Sequence, residues 1–500
     1  MPAAERDDAL ERGWRWDATV ARSREPPPAP AIARSRHYMW FVVGTVCIGA
    51  FMGQLDASIA QLVLPTLQRV FHARLSLISW VALAYLLALA GTLPIFGRLA
   101  DMFGRKLLYT GGFVVFIAGS ALAGFAPTLL FLIGARVFQA IGAGLLQANS
   151  VAIVTAAAGP ARRGRAIGVQ GAAQAIGLST GPALGGILIQ TLGWRWVFWI
   201  NVPAGVCGAI LGWFVLPQTR GLRRERGFDW WGALLLLPAL TALLLALSEG
   251  RRWGATSLLV IGLVVGGLVL LAGFVVRECR SASALVDLTL FRARAFVTGN
   301  LAGLLSYCIL FGLFFLMPFA LERGRGASPL VAGLLLTAIP VALGVVAPLS
   351  GALSDRIGAR PLTVAGMLLA AGALVGLALE TRHVTLLPLL LALAAFGVGQ
   401  GLFTAPNNSA IMGAAPSERL GVAGGVLNLT RSLGTSLGVA VASVVLAWRL
   451  AVRAGAPEST AQAPPGVLLG GIHDTLLLFA ALAVVAAAIS LLRGRVRVRA

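Results

Sequence analysis

One acid stands inside an apolar run long enough to cross a bilayer: Asp56, in HYMWFVVGTVCIGAFMGQLDASIAQLVLPTL (37–67). A carboxylate at such depth costs about 2.5–3.5 kcal/mol on insertion scales, so it marks a function by default. Two arginines, Arg136 and Arg431, also fall inside apolar runs. At about 1.5 Å per residue, Asp56 lies roughly 13 Å below the helix end marked by Pro65, and Arg136 roughly 10 Å below the same surface. Depth pairs the acid with Arg136, and Arg431 reaches a similar level. The chemistry of such a group is uptake and release of a proton. Asp229, Glu249, Glu322, Glu380 and Glu418 all fall at the ends of apolar runs or between them. Asp56 is therefore the single expected proton carrier, with a low proton stoichiometry.

Other chemistry lacks its parts. The four histidines (His37, His72, His383, His473) lie at the ends of apolar runs or between them, with no Ser/His/Asp set and no GxxxxGK[ST] loop. Neither an enzyme nor an ATP-driven pump is expected. The four cysteines (Cys47, Cys207, Cys279, Cys308) show neither metal-ligand spacing nor a disulfide framework. No metal and no cofactor is implied.

The elements that must position these residues are membrane helices. Of 500 residues 58% are hydrophobic and 12% charged, with mean hydropathy +0.86, whereas a soluble domain carries about 25% charged residues. The net charge of +21 is the usual mark of nucleic-acid binding, but the arginines are scattered between apolar runs with no aromatic-studded basic face. Fourteen runs near 20 residues can be counted, the first at about 39–65 and the last at about 473–492. With the N-terminus cytoplasmic, 28 of the 40 Lys and Arg fall on the cytoplasmic side, which sets the orientation and leaves both termini inside. The organisation expected is a disordered cytoplasmic tail (1–38), a six-helix half (39–216) and a segment with two linker helices (217–294). A second six-helix half (295–492, external loop 448–472) and a basic cytoplasmic end (493–500) follow. GRLADMFGRK (97–106) and GALSDRIGAR (351–360) share G-x-L-x-D-x-x-G-x-R after the second helix of each half, so the fold class is all-α integral membrane with two parallel halves and a central two-helix insert.

Several ordered motifs add a resemblance. They are LDASIAQLVLP (55–65), ISWVALAYLLALAGTLPIFGRLADMFGRK (78–106), RVFQAIGAG (136–144), GLSTGPALGG (177–186), WRWVFWINVPAG (194–205) and FDWWG (228–232). Over about 40–450 the chain resembles the major facilitator superfamily, in its fourteen-helix drug:proton antiporter branch (EmrB/QacA type). The resemblance implies export of amphiphilic small molecules from a bacterial cytoplasmic membrane in exchange for protons, by alternating access. It casts Asp56, Arg136 and Arg431 as the coupling region. It casts Gly97, Asp101, Gly104 and Arg105, with Asp355 and Arg356 in the second copy, as a conformational latch. Read from the residues alone, that stretch is a tight turn in which Asp101 caps a helix while Arg98, Arg105 and Lys106 meet lipid headgroups.

Gly177, Gly181 and Gly185 form a small-residue groove on one face of the fifth span, and Pro182 removes a helix hydrogen bond. With Gly186 they match the antiporter signature, and Gly434 and Gly438 repeat the groove more weakly. Polar residues on apolar spans outline a wet central cavity: Gln54, Gln61, Gln147, Asn149, Gln170, Gln174, Asn300, Gln400, Asn407 and Asn408. Each has interhelical hydrogen bonding as its plainer use, worth about 0.6 kcal/mol per pair. One membrane acid against two arginines favours neutral, zwitterionic or monovalent substrates over dications. The partners expected are small-molecule substrates, protons and membrane lipids, with no nucleic acid, and a monomer suffices; a periplasmic adaptor stays open. Two alternatives remain: a dedicated exporter of a host-made metabolite such as an antibiotic or siderophore, and a non-transporting receptor or scaffold of the same fold.

Overall fold

The computed structural model describes residues 25–219, 230–253, 257–280, 288–380, 386–415, 420–454 and 463–493. Every regular element among them is helical. A backbone surrounded by hydrocarbon must satisfy its own N–H and C=O groups, and a continuous helix does so.

The first half contains α1 (Pro30–Ala33), α2 (Tyr38–Leu62), α3 (Leu64–Phe71), α4 (Leu75–Phe103), α5 (Arg105–Gly124), α6 (Leu129–Thr191), α7 (Trp196–Trp199) and α8 (Asn201–Val215). Two helices follow, α9 (Trp230–Trp253) and α10 (Leu258–Arg280), which pack on each other. The second half contains α11 (Arg294–Pro318), a π-helical turn (Phe319–Gly324), α12 (Pro329–Ile357), α13 (Ala359–Glu380), α14 (Leu386–Gly413), α15 (Leu420–Ala454) and α16 (Pro465–Leu491). Thirteen helical stretches among the described residues are long and apolar enough to cross a membrane. The expected seventh run is helical as α9, but its described apolar stretch is only Leu234–Leu243; Glu249, Arg251 and Arg252 crowd its far end.

Residues 158–165 are helical too, so the fourth and fifth spans share α6. They nevertheless fold back on each other. Gln170 Nε2 donates to Ser150 Oγ at 3.0 Å, whereas twenty residues of straight helix cover about 30 Å.

Glycines set the closest helix seams, and they recur between halves. A Cβ at Gly142 would meet the Gly112 carbonyl, and one at Gly399 the Gly366 carbonyl. Gly177 likewise faces the Phe51 carbonyl, and Gly434 the Leu304 carbonyl. The repeated G-x-L-x-D-x-x-G-x-R turns share a backbone as well. Gly104 (φ 111°) and Gly358 (φ 83°) break α4 and α12 in the left-handed region, where a Cβ is strained.

At the end carrying Pro65 and Pro329 the halves touch directly. Gly186 abuts the Pro329 carbonyl and Gly333 the Pro182 carbonyl. Arg69 Nη2 reaches Glu322 Oε2 at 3.1 Å, and Arg323 Nη1 donates to Gln68 Oε1 at 2.7 Å.

Three expectations about charge and order need correction. The tail at 1–38 is packed from residue 25 onward: Ala29 N–H donates to the Phe214 carbonyl at 2.8 Å. Lys106 does not meet headgroups; it is 1% exposed, with Nζ on the Pro26 carbonyl at 2.8 Å. Arg493, placed in the basic end, is 2% exposed and donates to Asn407 Oδ1. Burial pushes its guanidinium down to about 10, since desolvation penalises the charged form.

Candidate functional site

Asp56 is fully buried, and so is its partner. Arg136 Nη1 donates to Asp56 Oδ2 at 2.7 Å, with side-chain exposures of 1% and 0%. The carboxylate's other oxygen accepts from Gln139 Nε2 at 2.9 Å and from Asn201 Nδ2 at 3.1 Å, and Tyr85 also hydrogen-bonds Asp56. Arg136 is equally occupied. It donates to Gln139 Oε1 at 2.5 Å and to the Val81 carbonyl at 3.3 Å, and its guanidinium lies 4.0 Å from the Tyr85 ring centroid. Gln139 completes the set by donating to Ser120 Oγ at 2.7 Å. A buried ion pair is tolerable only when its remaining donors and acceptors are satisfied. Here Val81 and Tyr85 of α4, Gln139 of α6 and Asn201 of α8 supply them, and Ser120 of α5 holds Gln139 in turn.

A cavity lies between the halves, beside this network. Its volume is about 60 Å³. The first half contributes Gln54, Tyr85, Phe116, Gln147, Ser150 and Gln174 to its wall, and the second half Phe311, Arg431, Ser432 and Thr435. Tyr85 belongs to both structures: it lines the cavity and covers the ion pair.

Comparison with known proteins decides the family. The family model described as Major Facilitator Superfamily matches residues 46–439. The chain belongs to the major facilitator superfamily. The riboflavin transporter RibZ of Clostridioides difficile is 37% identical over 411 residues, covering 82% of this chain and 89% of that protein. Multidrug resistance protein Stp of Mycobacterium tuberculosis (strain ATCC 25618 / H37Rv) is 36% identical over 404 residues, 80% of this chain and 75% of that one. The tetracenomycin C resistance and export protein of Streptomyces glaucescens is 32% identical over 412 residues, covering 82% and 76%. In fold, the chain is similar to a bacterial homolog of the human lysosomal transporter Spinster in an inward-facing, unoccupied conformation. There the TM-score is 0.68 at 16% identity, with 92% of this chain and 97% of that chain covered. This major facilitator is a multi-pass membrane transporter, and its relatives are transporters rather than enzymes.

The expected site residues divide sharply once placed. Asp56 and Arg136 meet. Arg431 does not join them; it lies on the cavity wall with its guanidinium 5.3 Å from the Tyr307 ring centroid. Of the polar set, Gln54, Gln147 and Gln174 line the cavity. Gln170 instead bonds Ser150, Gln400 bonds Ser306 at 2.7 Å, and Asn407 bonds the Gly299 carbonyl at 3.1 Å. Asn149 turns back onto its own helix at Leu145, Asn300 donates to the Phe296 carbonyl and accepts from Thr430 Oγ1 of α15 at 3.0 Å, and Gln61 is 2% exposed away from the cavity. A polar residue on an inward face meets either a seam within one half or the space between halves, and hydropathy does not separate the two.

The glycine-rich motif at 177–186 has two faces. Gly177, Gly181 and Gly185 seat α2 through Phe51, Ser58 and Ile59, while Pro182 and Gly186 seat α12 of the other half. At the latch turn Gly97 has open space around it and Arg356 is exposed; the side chains of Arg98, Asp101 and Asp355 lie outside the described ones. Gly104 instead faces Glu25. The Glu25 carboxylate accepts from the Leu107 N–H at 3.2 Å and the Thr219 N–H at 2.5 Å. That is an N-cap for α5 supplied from a distant segment, and Arg105 N–H joins it through Thr219 Oγ1 at 2.7 Å.

Tyr85, Ser120, Gln139 and Asn201 were absent from the expected site. Gln139 was readable: it lies three residues after Arg136, on the same helix face. Asn201 is the one amide in WRWVFWINVPAG. Tyr85 carries no sequence signal that separates it from a core aromatic.

Proposed function

We propose that this major facilitator is a proton-coupled exporter of amphiphilic small molecules, working by alternating access across a bacterial cytoplasmic membrane. The observation that carries the reading is the Asp56–Arg136 pair, buried and hydrogen-bonded, behind a wall of the cavity between the halves. Protonating Asp56 removes the charge that holds Arg136, Gln139 and Asn201 together. It thereby changes the packing of five helices beside the substrate space, including α2 and α6, whose seam carries the antiporter glycines. A shift of that kind biases a two-state rocking of the halves. The direct contacts at the Pro65 and Pro329 end, with the inward-facing fold relative, support an outward-closed arrangement.

The proposal extends to topology, branch and assembly. Both termini are cytoplasmic, α9 is the seventh of fourteen spans, α9 and α10 are the central insert, and the chain sits in the EmrB/QacA type branch. It works as a monomer on the proton motive force, without metal or cofactor. A second reading, dedicated export of one host-made metabolite, is supported by the relative named for tetracenomycin C resistance and export.

The test is Asp56→Asn in proteoliposomes. Exchange of substrate driven by a pH gradient falls to background, while gradient-free binding and insertion persist. Undiminished pH-driven exchange in this variant sinks the mechanism.

A further inference from the structure

The cavity carries one formal charge, and it is positive. Arg431 is the only charged residue on the described lining; Gln54, Gln147, Gln174, Ser150, Ser432 and Thr435 are neutral. Among the described residues its guanidinium forms no hydrogen bond and no ion pair, only the contact with the Tyr307 ring. Asp56 does not balance it. That carboxylate has 0% exposure, is neutralised by Arg136 at 2.7 Å and is screened from the cavity by Tyr85.

An unpaired guanidinium on a low-dielectric wall attracts anions and repels cations far more strongly than it does in water. Its planar fork matches a carboxylate or a delocalised oxyanion. Tyr85, Phe116 and Phe311 add aromatic surface to the same space, and the amide side chains offer both donors and acceptors.

We propose that the cavity selects planar amphiphiles bearing an anionic group, a carboxylate, phenolate or enolate, and that Arg431 holds that group. Lipophilic cations are poor ligands. The proposal rests on the exporter reading and names its substrate class; it also moves Arg431 from proton coupling to substrate recognition. The coupling charge and the substrate charge then occupy separate compartments, joined through Tyr85.

The test uses two xanthene dyes with similar rings and opposite charge, fluorescein and rhodamine 123. Binding to the full chain in nanodiscs is read by fluorescence anisotropy without any gradient. Fluorescein is expected to bind at least tenfold tighter than rhodamine 123. Arg431→Gln abolishes that preference, and Arg431→Lys, which keeps the cation, retains most of it. Equal or tighter binding of rhodamine 123, an unchanged preference in Arg431→Gln, or no binding of either dye overturns the proposal. Because no gradient is present, these outcomes are independent of the Asp56→Asn exchange assay, so either reading can fail alone.

Discussion

The two halves share a backbone plan but fill its central layer with opposite chemistry. Gly177 on the Phe51 carbonyl corresponds to Gly434 on the Leu304 carbonyl, and five residues further along each helix stand Asp56 and Ile309. Gly142 corresponds to Gly399 by their Gly112 and Gly366 contacts. Six residues before each stand Arg136 and Leu393, and three before stand Gln139 and Phe396. Ile309, Leu393 and Phe396 are each 0% exposed. A hydrocarbon layer thus holds the second half at the same level where the first holds an ion pair. Replacing buried ion pairs by packed apolar residues is often neutral or stabilising. The charge in the first half is therefore not needed to hold six helices together, which is the strongest argument that it does something else.

The largest effect comes from breaking the charged layer on one side only. Arg136→Gln leaves Asp56 buried without its cation, and losing one partner of a buried pair costs about 3–5 kcal/mol. Thermal unfolding in detergent should show that loss. The double variant Asp56→Asn/Arg136→Gln should recover much of it, since no lone charge remains, yet stay unable to exchange substrate for protons. Equal melting of Arg136→Gln and the parent chain would show that Asp56 is already neutral in the folded state.

A smaller effect follows from placing charge in the apolar layer. Ile309→Asp puts an unpaired carboxylate at a fully buried apolar position, at about 2.5–3.5 kcal/mol on insertion scales. Membrane yield should fall, while any correctly folded fraction keeps the parent proton stoichiometry. Gain of a second transported proton, measured by reversal potentials in proteoliposomes, would mean that the two layers are interchangeable. The same comparison marks where sequence reading stops. Asp56 and Arg136 were legible because helix rise converts residue number into depth, and the glycine spacing exposed the seams of α6 and α15. Glu25 was not: its carboxylate caps α5 from a charged, proline-rich segment that hydropathy assigns to a loose tail. Nor was Arg431. Depth aligns it with Asp56, but depth is one coordinate, and only the rotation of α15 puts it on the cavity wall.

The smallest effect is at the contact that joins the halves. Arg69 and Glu322 are 3.1 Å apart, but the Arg69 side chain is 60% exposed while that of Glu322 is 2% exposed. Solvent screens the arginine, and exposed pairs contribute about 0.2–1 kcal/mol. Arg69→Gln should therefore shift the ratio of closed to open at this end by roughly 1.4- to 5-fold, not abolish transport. Glycine packing at Gly186 and Gly333 remains to hold the halves in place. The measurement is thiol labelling from the outer face at Ala327→Cys in a cysteine-free background. Labelling should rise in Arg69→Gln and rise no further in Arg69→Gln/Glu322→Gln, because the second change removes a charge already left without its partner. Additive increases in the double variant would separate the two residues and leave the glycine–carbonyl contacts and the Arg323–Gln68 hydrogen bond to close this end.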